Sequence, residues 1–158
     1  SFLYLTGNNK DNGKIRLYLA YARALAGKVV QATRDLERAG NFADHEMKSF
    51  KLLTRAIIAR NAGRYQESLQ LLKLAWQYDS KETVLLQMGL TCLVKGDLEK
   101  ASDILQKLKE KKILKRNYPA VLAALAFLAK LKNKPEKMQK LIRELALNYP
   151  GYNLNKIK

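Results

Sequence analysis

The chain has 158 residues, 47% of them hydrophobic, and 30 Lys and Arg against 14 Asp and Glu give a formal net charge of +16. That length and apolar content support a real core and exclude a disordered chain. No apolar run approaches the ~20 residues of a membrane span, and the single cysteine, Cys92, excludes an intrachain disulfide.

The first residues, SFLYL (1–5), are short and apolar and read as an N-terminal arm or the end of a preceding helix; 6–13 (TGNNKDNG) read as turn and loop. A helical period begins at Lys14 and carries Leu17, Tyr18, Ala22 and Leu25 before Gly27 breaks it. Val29, Ala32, Leu36 and Ala39 form a return helix that Gly40 and Asn41 end. Asp44 is placed to cap the next helix, which runs to about Ala62, and Tyr65, Leu69, Leu72 and Ala75 carry its return partner towards Tyr78. Asp79 and Ser80 are expected to cap a helix over 81–95, and Asp97 the one that follows, with Leu98, Ala101, Ile104, Leu105 and Leu108 facing inward. Lys115 to Asn117 read as a small insertion. Pro119 and Pro135 suit the first turns of the last two helices, where a missing N–H costs nothing, and Pro150 and Gly151 stop the chain's final helix before a tail at 151–158.

One phrase recurs through this order. GKVVQA (27–32), GRYQES (63–68), GDLEKA (96–101) and NKPEKM (133–138) each follow an apolar helical run and precede an amphipathic one, at spacings of 36, 33 and 37 residues. A period near 35 predicts stacked antiparallel helix pairs, at 14–40, 44–79, 81–113 and 118–150, and an all-α chain. Arrays of this kind present surfaces for binding. No Ser/His/Asp set, phosphate loop, metal-ligand spacing or carboxylate pair stands out, so neither an enzyme nor a cofactor is expected. The lone His45 reads as a surface residue at a helix start, Cys92 as core, and Trp76 and Tyr78 as packing residues.

The chain at this point resembles the tetratricopeptide repeat family. The family's small helix A position falls on Ala20, Ala56, Gly89 and Ala126, its early helix B position on Ala32, Ser68, Ala101 and Met138, and its late helix B position on Ala39, Ala75, Leu108 and Leu145. Met138, Leu108 and Leu145 depart from the pattern, and the closing proline is present only as Pro150. The resemblance implies a right-handed superhelix, an α-solenoid, whose A helices line a concave groove. In this register Lys14, Leu17, Tyr21 and Ala24 line the first pair, and Phe50, Leu53, Ile57 and Arg60 the second. Thr83, Leu86, Leu90 and Leu93 line the third, and Ala120, Ala123, Phe127 and Lys130 the fourth.

The partner-binding residues expected from this lining are Leu17, Tyr21, Phe50, Leu53, Ile57, Leu86, Leu90 and Phe127. Related modules grip acidic C-terminal tails with a Lys/Asn/Arg clamp, but Leu17, Tyr21, Leu53 and Ile57 stand at those positions. The resemblance therefore implies a noncatalytic scaffold or chaperone that captures an apolar or amphipathic protein segment. By family analogy its setting is a bacterial secretion or surface-appendage system. A soluble protein, cytoplasmic rather than periplasmic, is expected. SFLYL filling the groove is the competing expectation.

The charge supports a second reading. Residues 95–158 carry 16 basic against 6 acidic side chains, and Lys107, Lys109, Lys111, Lys112, Lys115, Arg116, Lys132 and Lys134 form a candidate patch for an acidic partner or nucleic acid phosphate. GDLEKASDILQKLKEKKI (96–113) also resembles a pentatricopeptide unit, which implies RNA binding, although Leu17, Leu53, Leu86 and Ala123 are poor base readers. A third reading is a structural spacer in a longer solenoid, because Met138, Leu141, Ile142, Leu145 and Ala146 leave a broad apolar surface on the last helix.

Overall fold

A computed structural model describes residues 9–111 and 118–152, with side chains from residue 12 onward. The described residues are all-α, with eight helices and no strand. They are α1 (Asn9–Leu25), α2 (Val29–Ala39), α3 (His45–Asn61), α4 (Tyr65–Tyr78), α5 (Glu82–Lys95), α6 (Leu98–Glu110), α7 (Tyr118–Leu131) and α8 (Pro135–Asn148). The chain forms two compact units, Ser1–Val84 and Leu85–Lys158. In the first, α1 packs on α2, α3 on α4, and α3 on both helices of the preceding pair. In the second, α7 packs on α8 and on α6. The SFLYL arm, the expected insertion at 115–117 and most of the tail lie outside the described residues.

The recurring phrase is one turn built four times. Gly27, Gly63 and Gly96 take φ of 78°, 82° and 95°, and Asn133 takes 55°, a left-handed conformation that glycine and asparagine enter at least cost. In each copy the next residue's N–H reaches five residues back: Lys28 to Arg23 (2.9 Å), Arg64 to Ala59 (2.8 Å), Asp97 to Cys92 (2.9 Å) and Lys134 to Ala129 (2.8 Å). The left-handed residue itself donates to a carbonyl three back. This pair of bonds satisfies the carbonyls that a helix end leaves open. The residue after the turn takes ψ of 72–77° in all four copies.

Small residues sit where the paired helices meet. Ala20, Ala32, Ala56, Ser68, Ala75, Ala101 and Ala126 have no exposed surface. A Cβ placed on Gly89 would lie 3.0 Å from Leu105 Cδ2, so α5 and α6 approach as closely as a glycine allows. Ser68 Oγ donates to Ala56 O (2.8 Å) and Ser49 Oγ to Ala75 O (2.8 Å), polar ties inside the α3–α4 pair. Arg23 pairs with the buried Asp35 across α1 and α2, so that carboxylate is not left unpaired in the core. Asn61 Nδ2 donates to Ala24 O at 2.6 Å, tying the end of α3 to the end of α1.

The caps follow the sequence with one exception. Asp44 accepts from Met47 N (3.2 Å) and Asp97 from Lys100 N (3.4 Å), as expected of N-caps. Ser80 instead donates back to Trp76 O (3.0 Å), and α5 starts at Glu82. The larger difference is at the N-terminus. Residues 9–13 are helical, not loop, and Gly13 is buried where a Cβ would meet Ala39 O at 2.7 Å. Gly13 thus serves a close approach to the end of α2, and that packing overrides the turn character of the local sequence.

Candidate functional site

Four of the eight expected groove residues belong to the core. Leu17 and Ile57 have no exposed surface, and Leu53 and Leu86 are buried. The helical period had correctly marked an apolar face, but in a packed array the neighbouring helix covers much of that face. Burial leaves these four side chains little surface of their own. Tyr21, Phe50, Leu90 and Phe127 are half-buried and retain accessible surface.

In the first unit the structure brings the accessible aromatics together. The Phe50 ring lies 4.9 Å from Tyr21 and 5.5 Å from Tyr18, centroid to centroid, at tilted angles of 45° and 59°. Such tilted pairs are favourable beyond the area they bury. Tyr18 is 55% exposed and stands at the solvent edge of this cluster. It was absent from the expected lining. The signal for it was its spacing of three from Tyr21, which puts both rings on one side of α1. Leu17, Leu53 and Ile57 are among the buried residues of the same two helices. Arg60, farther along α3, is held below its ordinary pKa by burial, with Tyr21 acting in the opposite sense. Lys14 is exposed and Ala24 is buried.

In the second unit Leu93, like Leu86, is buried on α5, and Val94 and Leu131 are exposed large apolar residues. Ala120 and Ala123 are half-buried and Lys130 is exposed. Thr83, half-buried, falls at the start of α5 in the first unit.

Five residues of the expected basic patch are described, and two of them have carboxylate partners. Lys112, Lys115 and Arg116 lie outside the described residues. Lys132 pairs with Glu99 at 2.9 Å, and Lys109 with Glu144 at 3.8 Å. Lys132 also holds the Glu99 carboxyl below its ordinary pKa through that hydrogen bond. Lys107, Lys111 and Lys134 remain exposed. A phosphate tract would have to compete for two of these cations with carboxylates already in place.

Cys92 is buried, as its place on an apolar helix implied. His45 is exposed at the start of α3, with its ring edge-on to Tyr78 at 5.5 Å. Among the described residues no group of three or more His, Cys, Asp or Glu is placed to hold a metal ion. No helix among them is long and apolar enough to cross a membrane. Comparison of the chain with protein-family models, curated proteins and solved structures gave no significant match in any of the three.

Proposed function

We propose that this protein is a noncatalytic interaction module, built of tetratricopeptide-like helix pairs, that captures an apolar or amphipathic protein segment. The observation that carries this reading is the cluster of Tyr18, Tyr21 and Phe50 on α1 and α3. Three aromatic rings converge from two helices whose Leu17, Leu53 and Ile57 are buried. Rigid aromatic anchors of this kind dominate the binding energy of protein interfaces, and truncating one typically costs about 2 kcal/mol or more. The rings offer large apolar area with few rotors to immobilise, which favours a segment presenting aliphatic or aromatic side chains at helical spacing.

Peptide display selection tests the reading. Peptides enriched on the parent chain should carry apolar residues at i, i+3 or i+4. Combining Tyr18→Glu with Phe50→Glu should weaken a selected peptide at least ~30-fold, the equivalent of about 2 kcal/mol, while the helical circular dichroism is kept. Leu147→Glu, at a side chain 82% exposed in the other unit, should leave binding unchanged. A double variant that binds within about threefold of the parent contradicts the proposal.

A further inference from the structure

A second surface in the first unit has a different chemistry. Lys48, Lys51, Leu52 and Arg55 follow one another at helical spacing on a single side of α3, and Leu74 and Tyr78 do the same on α4. With Asn41 and Phe42 they line a cavity of about 270 Å³, open to solvent. At ~3.6 residues per turn this side of α3 lies roughly opposite Phe50, so the shelf is separate from the aromatic cluster. Its floor is apolar and accessible: Leu74 is 41% and Tyr78 36% exposed. Arg23, Arg64 and Lys81 in the same unit each have a carboxylate partner. Among the described residues no carboxylate pairs with Lys48, Lys51 or Arg55.

We propose that this shelf docks an acidic amphipathic peptide segment, whose apolar side chains rest on Leu52 and Leu74 and whose carboxylates meet Lys48, Lys51 and Arg55. Two observations position the cations for that task. Lys51 Nζ donates to the Gly40 carbonyl and to Asn41 Oδ1 (3.2 Å), which holds its ammonium at the rim. Lys48 Nζ lies 5.5 Å over the Tyr78 ring. The Lys51 ammonium is also held below its ordinary pKa, first by burial and then by the charge of Arg55. An incoming carboxylate offsets the repulsion between Lys51 and Arg55. A nucleic acid fits less well. Of the two aromatic rings that line the cavity, Phe42 is half-buried and Tyr78 already has Lys48 over its face and His45 edge-on to it, so neither is an open platform for a base.

The test is fluorescence anisotropy on the full chain with a labelled helical peptide of about 12 residues bearing Leu and Glu on opposite faces. Its charge-inverted Leu/Lys counterpart and an oligouridine of similar length serve as the other probes. The Leu/Glu peptide should bind saturably and weaken about tenfold between low and moderate salt. It should also weaken about tenfold or more in Arg55→Glu and, separately, in Leu74→Ser, both exposed positions. The Leu/Lys peptide and the oligouridine should bind at least about tenfold more weakly than the Leu/Glu peptide. Tyr18→Glu with Phe50→Glu should leave the salt-sensitive component of this binding intact, which separates the shelf from the aromatic cluster. The proposal is overturned by absence of saturable binding, by parent-like affinity in both shelf variants, by oligouridine affinity equal to that of the peptide, or by loss of binding in the aromatic double variant alone.

Discussion

Replacing Gly89 by valine puts the close approach of α5 and α6 to a quantitative test. Gly89 is buried in mid-helix, where a Cβ would lie 3.0 Å from Leu105 Cδ2, 3.1 Å from its Cγ and 3.3 Å from Ile104 Cγ2. Valine gains roughly 0.4 kcal/mol of helix propensity over glycine. Its branched side chain must then displace Leu105, which has no exposed surface towards which to swing. Overpacking of this kind costs about 1–3 kcal/mol, so a net destabilisation of about 0.6–2.6 kcal/mol is expected. Leu105→Ala alone should cost about 2–5 kcal/mol by leaving a cavity. In that background the valine methyls occupy the vacated space, and Gly89→Val should become neutral or stabilising. The resulting coupling, about 1–3 kcal/mol, is read from a double-mutant cycle of urea melts followed by far-UV circular dichroism. Additivity within about 0.5 kcal/mol, or a stabilising Gly89→Val in the parent, refutes the close crossing.

The four turns give a paired prediction. Gly63→Ala, at φ +82°, should lose about 1–2 kcal/mol, whereas Asn133→Gly should be neutral or slightly stabilising, both by urea denaturation. Ser49→Ala removes the bond to the Ala75 carbonyl and should cost about 1 kcal/mol in the same assay, with a stabilised variant counting against that tie. Tyr118 is held above its ordinary pKa, first by burial and then by the Glu144 carboxylate that accepts its hydrogen bond at 3.1 Å. The folded state therefore holds the phenol proton more tightly than the unfolded state. The associated stability is complete below about pH 10 and is lost as pH rises through the raised folded value. The fall in thermal midpoint above about pH 10 should accordingly be shallower in Tyr118→Phe, and an equal or steeper fall contradicts the assignment.

The features that proved legible in the sequence are those governed by local chemistry. Left-handed turns demand glycine or asparagine, and Gly27, Gly63, Gly96 and Asn133 marked them. Asp44 and Asp97 announced their caps. Small residues at a fixed period marked where helices touch, down to Gly89 against Leu105. Features set by tertiary contact were harder to read. Gly13 and its neighbours have the composition of a loop, and only the approach to Ala39 explains their helix. Apolar spacing identified the face of α1 and α3 but not how far each neighbour would bury it. Leu17, Leu53 and Ile57 consequently moved into the core, and Tyr18 joined the surface cluster. The shelf of Lys48, Lys51 and Arg55 depends on Leu74 and Tyr78 arriving from another helix. Net charge had directed attention to the C-terminal half, where Lys109 and Lys132 turn out to be paired.

Capture of an apolar segment at the α1–α3 aromatics is tested most directly by amide chemical-shift mapping of the isotopically labelled chain as a display-selected peptide is titrated. Shifts concentrated around Tyr18, Tyr21 and Phe50, saturating with the bound fraction, are the predicted result. Shifts confined to other residues, with these three unmoved at saturation, would contradict it.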